Sequence, residues 1–282
     1  MTTDSAAKIK IPKRFDRTAR LIGEPAMHKL MSSYAVVFGL GGVGGYAAEA
    51  LARTGVGKMR IVDFDEVCAT NINRQIQATE GTIGKKKASL MAERILSVNS
   101  RIQLDAPEVF YEKKTSDELL DPLPDIVVDC IDNITAKLHL VATCLERGIP
   151  IVTCLGAAAK LDPTKIKIGT LLGTHTDPLS RAMRKNLRRK YNLADDKLEQ
   201  VLAVFSDETV IWPDADYKSA LCGVECICPS GQNPHHTCQK RNVIYGSAVF
   251  VTAAFGMAAA SVAVRKLVGL PISLYQTDAE TK

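Results

Sequence analysis

The 282-residue sequence predicts an α/β protein with a doubly wound, mostly parallel sheet and an extended, partly antiparallel C-terminal half. Three observations carry this. Short apolar runs alternate with helical stretches through the first half, a glycine-rich turn follows the first apolar run, and 46% hydrophobic with 24% charged residues is a globular composition. A chain this long buries a core without disulfide staples. No internal repeat, low-complexity tract or Pro/Gly linker divides it, so one domain over 1–282 is expected.

Residues 34–39 (YAVVFG) form an apolar strand ending in glycine, 44–54 an Ala-rich helix closed by Gly55, and 59–63 (MRIVD) a second strand, which together make a βαβ unit. Residues 88–97 are helical by pattern. Residues 126–129 (IVVD) are a strand ending in a carboxylate, and a helix at 135–147 leads to a strand at 149–154. Strands are expected at 165–172 and 201–205. Between them Leu179, Met183, Leu187 and Tyr191 stand four apart, so 179–191 is an amphipathic helix with its basic residues on the polar side.

Residues 243–264 are uncharged for 22 residues and flanked by Arg241 and by Arg265 and Lys266, long enough to cross a bilayer. Ala, Gly, Ser and Thr supply 12 of the 19 residues from 246 to 264. A close-packed buried helix is therefore the favoured reading and membrane contact the alternative. Residues 1–14 hold no apolar core ahead of a small-residue cleavage site, the eight cysteines are under 3% of the chain and four of them sit inside apolar runs, so a reducing, cytoplasmic setting is expected. The net charge of +5 is unevenly spread. Lys8, Lys10, Lys13, Arg14, Arg17 and Arg20 load the amino terminus, Lys85, Lys86 and Lys87 form a triplet, and Arg181, Arg184, Lys185, Arg188, Arg189 and Lys190 crowd one helix. Single runs of this kind are usually solvated faces. Three together point to a polyanion or nucleotide partner.

Gly39-Leu40-Gly41-Gly42-Val43-Gly44 is a G-x-G-x-x-G after a strand and opening a helix, with Asp63 ending the next strand, the fingerprint of a Rossmann-like nucleotide fold. Glycines let backbone N–H groups reach phosphate at a helix N-terminus, and Asp63 can accept from ribose hydroxyls. The residues beyond the second strand do not suit hydride chemistry. Asp63, Asp65, Asn71 and Arg74, then Lys87, then Asp132 and Asn133, all fall at carboxyl ends of strands, where open α/β sheets bind ligands. Arg74 and Lys87 suit a triphosphate, and Asp132 its magnesium ion.

These motifs, R-x-x-R, G-x-G-G-x-G, D-x-D-x-V-x-x-x-N-x-N-R-Q and D-x-x-D-N, resemble the ubiquitin-activating-enzyme-like superfamily of ATP-dependent adenylating enzymes, which includes activators of molybdopterin and thiamin sulfur carriers. The resemblance implies that Gly39, Gly41, Gly42 and Gly44 cradle the nucleotide and Asp63 holds the ribose. It also implies that Asp65, Asn71, Arg74 and Lys87 surround the triphosphate, Asp132 positions Mg²⁺ and Asn133 lies beside the nucleotide. Arg17 matches an arginine that bacterial homodimers of the family insert into the neighbouring subunit's site, which implies a homodimer. Residues 13–161 would then be the nucleotide-binding half and 162–282 the substrate-binding and crossover half.

Within the superfamily the chain is most similar to the tRNA threonylcarbamoyladenosine dehydratases, through Arg14-Phe15, Thr18-Ala19-Arg20-Leu21 and Gly23, Ala50 to Gly55, Val67-Cys68, Asp177-Pro178-Leu179, and Val204-Phe205-Ser206 with Glu208. That resemblance implies ATP-dependent activation of the threonylcarbamoyl carboxylate beside the tRNA anticodon and its closure to a cyclic form, with Arg17, Arg74, Lys87 and Asp132 in the chemistry. The basic helix, Arg181, Arg184, Lys185, Arg188 and Arg189, would meet tRNA. The alternative is adenylation of the C-terminus of a ubiquitin-like sulfur carrier. A nucleotide-bound scaffold at membranes is a third reading.

Cys222, Cys226, Cys228 and Cys238, with His235 and His236, form C-x₃-C-x-C-x₉-C, compatible with zinc, with a reactive or sulfur-accepting thiol, or with ordinary thiols. The spacing differs from the paired C-x₂-C of sulfur-carrier activators, so zinc is not favoured. Under the thiol reading a cysteine desulfurase or sulfur-acceptor protein is a further candidate partner.

Overall fold

The computed structural model describes residues 10–213 and 245–275. Along the chain these form α1 (Asp16–Ile22), α2 (Glu24–Ser32), β1 (Tyr34–Phe38), α3 (Gly44–Thr54), β2 (Lys58–Val62), α4 (Lys87–Val98), β3 (Gln103–Asp105), α5 (Ser116–Leu119), β4 (Ile126–Asp129), α6 (Ile134–Glu146), β5 (Ile151–Cys154), β6 (Ile166–Thr170), α7 (Pro178–Tyr191), α8 (Asp195–Glu199), β7 (Leu202–Ser206) and α9 (Val249–Val268). The strands make one seven-stranded sheet in the order β3-β2-β1-β4-β5-β7-β6. All pairs are parallel except β6 with β7, where Ile168 faces Val204. The expected doubly wound sheet with a partly antiparallel C-terminal portion is present.

β1 and β4 mark the switch point. The chain runs outward from β1 to β2 and β3, then returns to lay β4 on the other side of β1, opening a crevice beyond their carboxyl ends. β1 is buried along its whole length, and its side chains alternate between two cores. Ala35 and Val37 face Leu51, Met91, Phe255 and Ala259, whereas Val36 and Phe38 face Leu138, Val141, Met183 and Leu187. That two-sided burial is why the parallel strands read as continuous apolar runs.

α9 settles as a core helix against α3, α2 and the sheet, although it is also apolar and long enough to cross a membrane. Its small residues have a specific use. A Cβ on Gly256 would lie 2.3 Å from the carbonyl oxygen of Val43, so only glycine lets α9 approach the first turn of α3 this closely. The helix starts six residues later than the uncharged stretch and runs through Arg265 and Lys266 to a left-handed Gly269.

Five elements were not expected, and the short α5 and α8 span only four and five residues. Of the other three, β3 exposes Gln103 and Asp105 at the sheet edge, α1 buries no residue, and α2 buries only Met27 and Leu30, so none shows an apolar period. The strand expected to reach Asp63 stops at Val62, because the Asp63 carboxylate turns back to accept backbone N–H groups.

Candidate functional site

The glycine turn between β1 and α3 is shaped by steric necessity. Gly39 has φ +83°, and a Cβ there would sit 2.7 Å from the Cys130 carbonyl oxygen; one on Gly44 would sit 1.7 Å from the Gly39 oxygen. The first glycine thus allows the turn and the last seats α3 on it. The free N–H groups of the α3 amino end then face the crevice. Gln77, which no sequence motif singles out, fastens the turn from the side by donating from Nε2 to the Leu40 oxygen at 2.6 Å.

Asp63 closes the loop from below. One carboxylate oxygen accepts from Leu40 N–H at 2.6 Å and the other from Asp65 N–H at 2.8 Å. Burial raises its pKa and Asp65 adds to that, against the opposing pull of Lys87 and the two N–H donors. Lys87 opens α4 with Nζ 3.0 Å from the Asp65 carboxylate. Burial alone would lower its pKa; the carboxylates of Asp63, Asp65 and Asp132 outweigh that and raise it, so the ammonium is charged at neutral pH. Asp63, Asp65 and Asp132 thus all act on the Lys87 ammonium.

Asn71 and Arg74 sit in the turns between β2 and α4. Asn71 spends its side-chain oxygen on Cys68 N–H at 3.1 Å, while Arg74 reaches the Thr70 oxygen at 2.8 Å and Asn73 Oδ1 at 2.9 Å. Arg74 also flanks Gly42, whose hypothetical Cβ would lie 3.1 Å from Arg74 Cγ and 3.1 Å from Thr252 Oγ1 of α9. Asn133 caps α6, its Oδ1 accepting from Ala136 N–H at 3.1 Å. Asp132 beside it is exposed.

Beneath Asp132 lies an ion pair the sequence did not announce. Asp129 and Lys137 have no exposed side-chain surface and meet at 2.8 Å. Asp129 also accepts from Thr153 Oγ1 at 2.6 Å and Ile131 N–H at 3.1 Å, and Lys137 donates to the Ile131 oxygen at 3.0 Å. Both groups therefore grip the turn that presents Asp132. The available signal was that Lys137 shares the buried α6 face of Val141 and Cys144, at i, i+4 and i+7.

Arg17 is not brought to this site by its own chain. Phe15, just before α1, packs at Gly55, and Arg14 bonds the Val98 oxygen and Asn99. Both anchors lie at the far ends of α3 and α4, and the eleven residues of α3 span about 16 Å.

The basic helix needs one correction. Arg184 is not free to meet phosphate: its guanidinium turns inward onto the oxygens of Leu171 at 3.2 Å and Thr174 at 2.8 Å, and onto the Thr174 and Ser180 hydroxyls. Burial lowers its pKa, as do Arg188 and Arg181. The buried face of α7 includes Ser180 besides Met183 and Leu187, which is wider than the four-residue stripe expected and takes Arg184 with it. Arg188 pairs with Asp195 at 2.7 Å, leaving Arg181, Lys185, Arg189 and Lys190 on the exposed side. Asp177 caps the helix through Ser180 N–H and binds Gly156 N–H at 2.9 Å, which pins the start of α7 to the loop after β5.

Cys222, Cys226, Cys228 and Cys238 lie outside the described residues, and with them the zinc and reactive-thiol readings. Among the described residues Cys68, Cys130, Cys144 and Cys154 are free thiols, and no cluster of three or more His, Cys, Asp or Glu could hold a metal unaided. A magnesium ion accompanying a nucleotide needs only one or two carboxylates besides phosphates and water, a demand that Asp132 fits.

The profile of the ThiF family matches residues 15–281. The tRNA threonylcarbamoyladenosine dehydratase of Escherichia coli (strain K12) is 36% identical over 265 residues, covering 90% of this chain and 93% of that protein. The dehydratase of Bacillus subtilis (strain 168) is 40% identical over 198 residues, covering 70% and 76%. The crystal structure of the E. coli enzyme, TcdA, in complex with ATP matches with a TM-score of 0.79 at 34% identity, covering 93% of this chain and 98% of that one.

Proposed function

The chain belongs to the ThiF family, among the tRNA threonylcarbamoyladenosine dehydratases, and from that premise we propose that it uses ATP to cyclise threonylcarbamoyladenosine beside the tRNA anticodon. The observation that carries the reading is the glycine turn with Asp63, Asp65, Lys87 and Asp132 gathered at the β1/β4 switch point. The triphosphate lies at the amino end of α3, against the N–H groups of Gly41, Gly42 and Gly44, with the ribose toward Asp63 and Asn71, Arg74 and Lys87 around the phosphates. Asn133 borders the nucleotide, and Asp132 would hold the magnesium ion, which supplies charge neutralisation to the phosphates.

The substrate carboxylate attacks the α-phosphorus of ATP, and the bond to the diphosphate breaks. The resulting acyl adenylate turns a poor electrophile into a good one. A nucleophilic atom of the carbamoyl group then attacks the acyl carbon, AMP leaves and a proton is lost, so the product is one water lighter than the substrate. Tethering gives that attack an effective molarity that can reach about 10⁵ M or more, so ring closure requires no protein thiol.

We also read the protein as one adenylating domain and a homodimer. Arg17, remote from its own glycine turn, completes the partner's site, and Arg181, Lys185 and Arg189 contact tRNA phosphates. The free thiols support a cytoplasmic setting. The test is to incubate the protein with ATP and threonylcarbamoylated tRNA. AMP, diphosphate and a nucleoside lighter by one water are expected. No AMP with that tRNA, alongside AMP formation with a ubiquitin-like carrier, would favour the carrier-activating alternative.

A further inference from the structure

Lys160 is a buried cation that the nucleotide site does not use. The residue is 3% exposed and lies on the segment after β5, at the carboxyl edge of the sheet that also carries the glycine turn and Asp132. Among the described residues its Nζ makes one hydrogen bond, to the main-chain oxygen of Glu208 at 3.0 Å, and no ion pair. The Glu208 carboxylate is engaged elsewhere, accepting from Leu161 N–H at 2.9 Å and Asp162 N–H at 2.9 Å. An ammonium has three donors, and a buried one calls for an anion.

The surrounding backbone is built to keep it there. Ala159, immediately before, stands at φ +59°, a left-handed conformation that a residue with a Cβ rarely adopts. It is held by Ala159 N–H on the Gly246 oxygen at 2.8 Å and Ile211 N–H on the Ala159 oxygen at 2.9 Å. On the same loop Gly156 is tied to Asp177 at the start of the basic helix. Lys160 thus lies at the carboxyl edge of the sheet by the ends of β5 and β7, the next strands beyond β4 on the side away from β1, in a loop whose Gly156 is tied to the foot of α7.

We propose that Lys160 binds the carboxylate of the threonylcarbamoyl group before it is adenylated. This rests on the dehydratase reading. A carboxylate approaching a triphosphate brings two anions together, and a cation already desolvated at that edge offsets the repulsion without reorganisation. Adenylation removes the carboxylate charge. Lys160 therefore favours the bound substrate over the acyl adenylate and acts on substrate affinity and choice more than on turnover.

The test compares wild type with Lys160→Met and Lys160→Arg, measuring binding of tRNA with and without the threonylcarbamoyl group in the absence of ATP, steady-state kinetics and apo-protein melting. Wild type should prefer the modified tRNA. Lys160→Met should cut that preference by about tenfold or more, raise the KM for tRNA, leave the KM for ATP and the melting temperature undiminished, and be partly rescued by Lys160→Arg. A preserved preference in Lys160→Met overturns the proposal alone. A lower melting temperature also overturns it, since Lys160 would then be a strut for the Glu208 turn. If wild type neither prefers modified tRNA nor makes AMP from it, the functional reading fails and takes the proposal with it.

Discussion

Replacing Lys137 with Met tests how the turn carrying Asp132 is held. The two side chains are close in volume, so the change removes charge and donors with little loss of packing. What remains is a carboxylate on Asp129 with no exposed surface, still accepting from Thr153 and Ile131 but without a counter-charge. Breaking one side of a buried pair costs about 3–5 kcal/mol. At about 2–4 °C per kcal/mol for a large domain, the melting temperature should fall by about 6–20 °C. The readout is circular dichroism on heating and in urea. Adding Asp129→Asn should recover most of the loss, because the neutral amide keeps a carbonyl oxygen for Thr153 Oγ1 or Ile131 N–H and no stranded charge remains. AMP formation, measured well below either midpoint, should stay reduced in Lys137→Met, since the Ile131 oxygen has lost its donor. A stability within about 1 kcal/mol of wild type would refute the idea that the pair braces the turn.

Asp132→Ala should lower kcat for AMP formation with little change in the KM for ATP, whereas Asp63→Ala, which frees the Leu40 and Asp65 N–H groups, should mainly weaken ATP binding; near-normal kcat in Asp132→Ala would remove its assignment. Mixed dimers of Arg17→Ala and Asp132→Ala protomers should regain activity at one intact site, and no recovery would argue for sites built within a single chain. Changing Arg181, Lys185 and Arg189 to Gln should raise the KM for tRNA and flatten its log–log salt dependence by about two to three, at about 0.7–0.9 per phosphate contact, while the KM for ATP holds. Burial, then Lys113 and Arg147, hold His139 below its ordinary 6.5, with Asp117 and Glu146 opposing. The unfolded chain therefore binds more protons, and stability should fall as pH drops through and below 6.5; His139→Gln should flatten that slope in acid melts.

The central strands and the glycine turn were legible in the sequence because each obeys a local rule: burial on both faces for β1, β4 and β5, and steric closeness for Gly39 and Gly44. β3 hid because Gln103 and Asp105 face solvent and only Leu104 turns inward. Lys137 and Lys160 hid for the opposite reason. A lysine is ordinarily exposed, and only tertiary placement reveals one that is not. Arg184 misled in the same way, since its charge suggested phosphate while the oxygens of Leu171 and Thr174 wait in its path.

The contact of Gly256 with Val43 has a consequence for how the chain is made. The first turn of α3 is finished by a helix that comes about 200 residues later, and at about 5–20 residues per second that helix leaves the ribosome about 10–40 s after it. Until then α3 has the sheet, α2 and α4 beside it, but the part of its surface that Phe255, Gly256 and Ala259 will cover stays open. The nascent amino-terminal half is thus an open sandwich, apolar on its uncovered face, and a natural client for a holding chaperone. The nucleotide pocket closes late, when the last helix slides its smallest residue against the turn that began it.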